Sequence, residues 1–158
     1  MLPGMALSSA TVVGRIDLPA GKTWEDILSS PREQAEVVLS FQTIAARALG
    51  LRSSDVQVRK NVCIRGAGDP GMAHTHWHRD AAKPIGHVLC VVGDSPTEFL
   101  LGDYPDERIG PEDYRGIEDG MRRWRPAPGE VVKVDRFTLH RRPLDPGQTR
   151  MFLIGSQR

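Results

Sequence analysis

The stretch APGEVVKVDRFTLHRRPLDPGQTRMFLIG, residues 127–155, decides the fold that the sequence predicts. A Pro-Gly turn at 128–129 leads into a strand over 129–135, and the chain then returns along RFTLH to His140. Residues 150–155 form a further apolar strand. Short strands separated by turn residues are typical of a β-sandwich or barrel.

The part of the chain before this stretch contains one clear helix. Residues 31–50 carry apolar side chains at helical spacing, with Ser29 and Ser30 as candidate caps, Pro31 in the first turn and Gly50 as the stop. We expect this apolar stripe to pack against a sheet. Its members are Ala35, Val38, Leu39, Phe41, Ile44, Ala45 and Leu49.

The helix is followed by a strand with period 2, because apolar and polar residues alternate after residue 54. The apolar face is Val56, Val58, Val62 and Ile64, and the polar face is Gln57, Arg59, Asn61, Cys63 and Arg65. Other predicted strands are 11–18, 86–92 and 97–101, and a long excursion over 102–128 contains a short helical turn at 111–123. The expected fold is mainly β with one N-terminal helix packed outside. It forms a single domain over 1–158, with a supporting part at 1–55 and a core at 56–158.

The composition limits the classes of partner. Of the 158 residues, 39% are hydrophobic and 26% charged, as in ordinary globular domains. The net charge of +1 gives no electrostatic case for nucleic acid or an acidic membrane. We find no signal peptide and no membrane-spanning run, and Cys63 and Cys90 have no paired spacing, so we expect a cytoplasmic protein with two buried cysteines. The first fifty residues belong either to the barrel or to the interface of a homodimer.

Four residues carry the predicted chemistry, namely His78, Asp80, His140 and Arg150. His78 and Asp80 are two apart, so on a strand they project to one face, and His140 joins them from another strand. Two imidazoles and a carboxylate cover one face of an octahedral metal ion, an arrangement typical of non-haem Fe(II) oxygenases. Arg150 begins a core strand, where a charge needs a partner, and a dicarboxylate would serve.

Two segments of the chain resemble the double-stranded β-helix core of the Fe(II)/2-oxoglutarate-dependent dioxygenases. They are HWHRDAAKPIGHVLCVVGDSPTEFLLGD, residues 76–103, and the stretch 127–155 quoted above. The resemblance is strongest to the small prolyl-hydroxylase-like members and covers residues 56–158. It implies a jelly-roll barrel with the metal inside its mouth.

The resemblance also implies a set of ligands and an activity. His78, Asp80 and His140 would hold Fe(II), and Arg150 would bind the distal carboxylate of 2-oxoglutarate. The implied reaction is hydroxylation of a small-molecule substrate with release of succinate and CO2. Candidates for a second contact to 2-oxoglutarate lie on the polar face of the strand after residue 54. They are Arg59, Asn61 and Arg65.

Residues around the metal set have expected roles as well. Asp135 and Thr138 are placed to fix an imidazole, and Trp77 should face away from the metal. The excursion over 102–128 would supply substrate contacts. Its basic and aromatic candidates are Arg122, Arg123, Trp124 and Arg125.

His74 and His76 leave a different ligand set open. With Gly68 they resemble the first motif of the cupins, and His74, His76 and His140 would then bind a metal without 2-oxoglutarate. However, a whole strand separates His140 from the Pro-Gly turn, which matches the oxygenase layout. In that interpretation His74 and His76 lie at the rim or line the pocket. A non-catalytic jelly-roll module that binds a ligand without turnover is the remaining alternative.

Overall fold

Antiparallel sheets and a long helix form the part of the chain that the computed structural model describes. That part is residues 5–7, 10–67, 77–78, 86–101, 103–105, 122–135, 138–143 and 147–158. The helices are α1 Trp24–Leu28 and α2 Pro31–Leu49. The strands are β1 Met5–Leu7, β2 Ala10–Arg15, β3 Val56–Cys63, β4 His87–Gly93, β5 Glu98–Leu101, β6 Asp103–Pro105, β7 Arg122–Trp124, β8 Glu130–Val134, β9 Leu139–Arg141 and β10 Arg150–Gln157.

Helix α2 begins and ends where its local sequence requires. The Ser30 side chain accepts a hydrogen bond from the Glu33 amide at 3.3 Å, and Pro31 occupies the first turn, where its missing N–H costs nothing. Gly50 adopts a left-handed conformation with φ 67° that caps the helix. The prediction of a helix over 31–50 is confirmed to within one residue.

The buried row of α2 differs in part from the predicted stripe. Val37, Phe41, Ala45 and Leu49 are buried at i, i+4 spacing. Ala35 and Leu39 were expected in this stripe, but both are exposed, Leu39 to 62%. Residues two positions apart on a helix are rotated by about 200° around its axis. Residues 35 and 39 therefore lie almost opposite the row that contains Val37.

The larger sheet has five antiparallel strands in the order β2-β8-β4-β10-β3. One face packs on the helices through a cluster that contains Phe41, Val88, Cys90, Met151 and Leu153. Phe41 approaches β10 closely because residue 155 is glycine, whose added Cβ would lie 3.2 Å from Phe41 Cε1. The apolar side of β3 turns towards the same cluster, which confirms the period-2 assignment.

The opposite face of the larger sheet, here called the inner face, packs on a smaller sheet of order β7-β5-β9. Leu89, Val132 and Ile154 of the larger sheet form one buried cluster, here called the inner cluster, with Phe99 of β5. The middle of the five-stranded sheet is therefore buried on both faces. This is why β4 is buried along its whole length.

The prediction for residues 102–128 is wrong in part. Residues 122–124 form strand β7, paired with β5, where the sequence had suggested the end of a helical turn. Residues 103–105 form β6, paired with β1. The remainder of the proposed turn, residues 111–121, lies outside the described residues. The short helix α1 was also not predicted, although Thr23 and Asp26 form a capping box at its start.

Both cysteines are buried, as predicted, with Cys63 exposed to 1% and Cys90 to 2%. Burial raises the pKa of the Cys90 thiol to about 12. Within the described ranges, no helix has the length and apolar character needed to cross a membrane.

Candidate functional site

Two of the predicted metal ligands lie directly opposite each other, His140 in β9 and His78 in an isolated antiparallel bridge to it. His78 and His140 exchange two backbone hydrogen bonds, each with an N···O distance of 3.0 Å. Because directly opposed residues project to the same face of a sheet, their side chains come together. The two ring centroids are 4.5 Å apart, with an angle of 62° between the planes.

The pair continues into a row of four rings across the smaller sheet. Phe99 lies opposite His140 on the other side, and Trp124 lies opposite Phe99. The centroid distance is 5.9 Å from Phe99 to His140 and 5.6 Å from Phe99 to Trp124. Since Phe99 belongs to the inner cluster, the row faces the interior between the two sheets. His140 is exposed to only 2%.

The ring of His140 is oriented by the residue two positions before it. His140 Nδ1 lies 3.2 Å from the carbonyl oxygen of Thr138. A carbonyl can only accept, so Nδ1 is the donor and the lone pair of the neutral ring is on Nε2. The Thr138 hydroxyl in turn donates to Asp135 Oδ1 at 2.8 Å. Thr138 thus holds the imidazole directly, and Asp135 acts through Thr138.

Arg150 lies on the inner face of the larger sheet. It begins β10 between Cys63 of β3 and Gly93 of β4, and it is exposed to 3%. Phe152 and Ile154, two and four residues later, pack in the inner cluster, so the period of a strand assigns Arg150 to the same side. The predicted cation and the two imidazoles therefore face the same interior.

Several predicted ligands lie outside the described residues, namely His74, His76 and Asp80. Within the described ranges, no group of three histidine, cysteine or acidic side chains is arranged to hold a metal ion. His78 and His140 are the described members of the predicted set, and Asp80 follows His78 by two residues.

The three candidates for a second cosubstrate contact are in different positions. Arg59 and Asn61 are exposed on the edge strand β3, opposite Ile154 and Phe152, and share the inner face with them. Arg65 is 78% exposed, and its Nε forms an ion pair with Glu25 of α1 at 2.6 Å. The structure therefore brings Arg65 to α1, while Asn61 stays on the face that carries Arg150.

His87 is a buried imidazole that the sequence analysis did not single out. It opens β4 at 2% exposure, and its ring centroid is 6.3 Å from that of His140. Leu89, two residues later, belongs to the inner cluster, so His87 faces the same interior. Strand β4 is apolar on both faces, so the sequence offers no alternation that would reveal which residues face inward. No period in the sequence of β4 therefore pointed to His87.

An ionic row lies on the other face of the smaller sheet. We call it the outer row, and it consists of Trp77, Arg141, Glu98 and Arg125. Arg141 donates to Glu98 Oε1 through Nε at 3.0 Å and Nη2 at 2.7 Å, and Arg125 Nε donates to Oε2 at 2.8 Å. The Arg141 guanidinium carbon lies 4.2 Å from the centre of a Trp77 ring. Trp77 points away from the two imidazoles, as predicted.

Glu98 is ionised in this row although its side chain is only 5% exposed. Burial of the carboxylate raises its pKa, but the hydrogen bonds and charges of Arg125 and Arg141 outweigh burial and hold the pKa below its usual value. Arg125 was a candidate for contact with substrate, and the structure places it in this ion pair. Trp124, a candidate for the same role, packs on Phe99.

Comparison with known proteins finds no family model, no curated protein and no solved structure that matches this chain.

Proposed function

We propose that this protein is an Fe(II)- and 2-oxoglutarate-dependent oxygenase that hydroxylates a small molecule and releases succinate and CO2. The observation that carries the proposal is the direct pairing of His78 with His140, whose ring centroids are 4.5 Å apart. The buried Arg150 on the inner face adds a cation of the kind that binds a dicarboxylate.

The order of the strands supports a double-stranded β-helix as the finer fold. From β3 onward, strands fall alternately in the larger and the smaller sheet, counting the bridge at His78 as part of the smaller one. The exceptions are β5 and β7, which pair with each other within the smaller sheet, and β6, which pairs with β1 in a separate sheet. Alternation between two facing sheets around one central hairpin is the pattern of a jelly roll.

The spacing of the two imidazoles fits a shared metal ion. A metal–nitrogen bond of about 2.1 Å would put a ring centroid about 3.2 Å from the ion. If the two metal–nitrogen bonds met at a right angle, the ring centroids would be about 4.6 Å apart. The centroids of His78 and His140 are 4.5 Å apart. The Thr138 carbonyl, by holding Nδ1 of His140, would make Nε2 the nitrogen that binds the ion. Asp80 would supply the carboxylate.

The residues of the chain have three tasks in this proposal. His78, Asp80 and His140 hold the ion, and Arg150 orients the cosubstrate through its distal carboxylate. Apolar side chains between the sheets, such as Phe99 and Leu89, exclude water from the interior. Iron and 2-oxoglutarate, when bound, supply the oxidising chemistry for an unactivated C–H bond.

The pairing of His78 also favours this ligand set over the cupin alternative. The cupin set, His74, His76 and His140, makes no use of His78. Yet His78 is the residue directly opposite His140, with both rings on the inner side. A metal site centred on His140 therefore has His78 as its nearest described imidazole.

Turnover of 2-oxoglutarate without any added substrate tests the proposal. Purified protein with Fe(II), ascorbate and O2 should convert 2-oxoglutarate to succinate slowly, which NMR can follow. His140→Ala and Arg150→Ala should abolish succinate formation, because one removes a metal ligand and the other the carboxylate anchor. Arg47→Ala, an exposed arginine on α2, is the control and should behave as wild type. A wild-type protein that binds 2-oxoglutarate but forms no succinate would indicate the non-catalytic module instead.

A further inference from the structure

A buried amide lies two residues before Arg150. Gln148 is 3% exposed, and both its amide nitrogen and its amide oxygen are buried. Neither atom has a hydrogen-bonding partner among the residues that the structure describes. Buried side-chain amides are nearly always hydrogen-bonded, because removing one from water without compensation costs free energy. An amide in this state indicates a site for a ligand or an ordered water.

The backbone around Gln148 continues the pattern of β10. The Gln148 carbonyl accepts from the Gly66 amide at 2.9 Å on one side. On the other side, the Thr149 carbonyl accepts from the Asp94 amide at 2.8 Å. Hydrogen bonds that alternate between the two neighbours are those of an extended strand, in which residues two apart share a face. Gln148 therefore projects to the inner face together with Arg150.

We propose that Gln148 is a second binding residue for the carboxylate that Arg150 holds, with the amide N–H₂ donating to that carboxylate. This rests on the proposed function, in which the ligand is 2-oxoglutarate, and it assigns a residue that recognises the far end of that molecule. A neutral donor suits the position, because a further charge in a buried site costs free energy unless it is itself paired.

The position of Gln148 in the fold agrees with recognition of the far end. His87, whose ring is near His140, opens β4, and Gly93, opposite Arg150, closes it. Six residues of strand separate the two, a span of about 20 Å between Cα atoms. A five-carbon dicarboxylate is much shorter than this, so the side chains of Arg150 and Gln148 would reach back along the inner face to meet its far carboxylate.

The test compares two keto acids that differ only at the far end. 2-Oxoglutarate carries a carboxylate there, and 2-oxopentanoate carries a methyl group on a chain of the same length. Binding of each to the Fe(II)-loaded protein would be titrated without O2 for wild type, Gln148→Leu and Gln148→Glu. Gln57→Leu is the matched control, because Gln57 is an exposed glutamine of β3 that lies on the inner face of the larger sheet, as Gln148 does.

We expect Gln148→Leu to weaken 2-oxoglutarate binding about tenfold, since a hydrogen bond to a charged group is lost. It should leave 2-oxopentanoate binding unchanged and should raise the melting temperature of the metal-free protein, because a dry amide is replaced by an apolar side chain. Gln148→Glu should weaken 2-oxoglutarate further through repulsion of like charges, and Gln57→Leu should change nothing.

Equal 2-oxoglutarate affinity in wild type and Gln148→Leu would overturn this inference but not the proposed function. The Gln148 amide would then bind an ordered water molecule instead of the carboxylate. Equal weakening of both keto acids would also overturn it, since the effect would then come from distortion of the site. A wild-type protein that binds neither keto acid would overturn the proposed function and this inference together. Gln148→Glu covers the case in which Gln148→Leu fails to fold, because it keeps the shape of the side chain.

Discussion

At the scale of single residues, the ring of His140 is held by a chain of polar contacts rather than by packing alone. Its Nδ1 donates to the Thr138 carbonyl, and the Thr138 hydroxyl donates to Asp135. Groups that orient a metal-binding imidazole contribute to metal affinity, because they fix the tautomer and the direction of the lone pair. Of these two hydrogen bonds, only the one through the Thr138 hydroxyl can be removed by a substitution.

Thr138→Val tests this arrangement at the same scale. Valine keeps the shape and the carbonyl of residue 138 but loses the hydroxyl that anchors it to Asp135. We expect Fe(II) affinity, measured by anaerobic calorimetry, to fall about fivefold, less than for loss of a group that bonds the imidazole itself. Thr43→Val, on the exposed side of α2, removes a comparable hydroxyl that bonds the Leu39 carbonyl. If both variants bind Fe(II) as wild type does, Asp135 has no part in orienting the ring.

At the scale of elements, the smaller sheet carries two parallel rows of side chains, one on each face. Every member of the outer row is next in sequence to a member of the row of four rings on the inner side: Trp77 to His78, Arg141 to His140, Glu98 to Phe99 and Arg125 to Trp124. The buried Glu98 links β5 to Arg141 of β9 and to Arg125, which follows β7. The outer row therefore holds the strands of the imidazoles in register, since a slip of one residue would break its ion pairs.

Glu98→Gln should destabilise the fold by about 2 kcal/mol at pH 7, because two arginines would lose the charge that they share. The folded pKa of Glu98 lies below the usual value of 4.5, so the carboxylate stabilises the fold fully above that value. The contribution is lost as the pH falls through the folded pKa. The difference in unfolding free energy between wild type and variant should therefore stay constant from neutral pH down to about 4.5. It should become smaller at lower pH.

A surface ion pair supplies the control for this prediction. Glu36 pairs with Arg32 on α2, with side chains 64% and 90% exposed. Exposed pairs of this kind contribute a few tenths of a kcal/mol at most, so Glu36→Gln should change urea unfolding very little. If the Glu98→Gln variant is as stable as the Glu36→Gln variant, the ion pairs of the outer row do not stabilise the smaller sheet.

At the scale of the whole molecule, two apolar layers flank the larger sheet, and the candidate site lies in the inner one. Local signals predicted α2 well, because Ser30, Pro31 and Gly50 act within a turn of the helix end. Strand β7 was missed because its three residues show no alternation and are held by pairing with β5, far away in sequence. His87 was missed for a related reason, since a strand buried on both faces has no period.

The candidate site was predictable to the extent that its residues follow strand spacing. The pairing of His78 with His140 and the inward direction of Arg150 both agree with what the spacing indicated. The burial of Gln148 and the contacts of Glu98 and Arg141 depend on register between strands, which the sequence alone does not determine. Register is set by the packing of the two sheets as a unit.

The most direct test of a metal site that takes 2-oxoglutarate is an anaerobic titration of the metal-free protein with Fe(II) and then 2-oxoglutarate. Chelation of the keto acid by the iron should produce a visible charge-transfer band in wild type. His78→Ala and Arg150→Ala should lose the band at the same concentrations, the first for want of a metal ligand and the second for want of the carboxylate anchor. Metal binding that gives no band and is indifferent to His78→Ala would contradict the proposal and point to the cupin set of His74, His76 and His140.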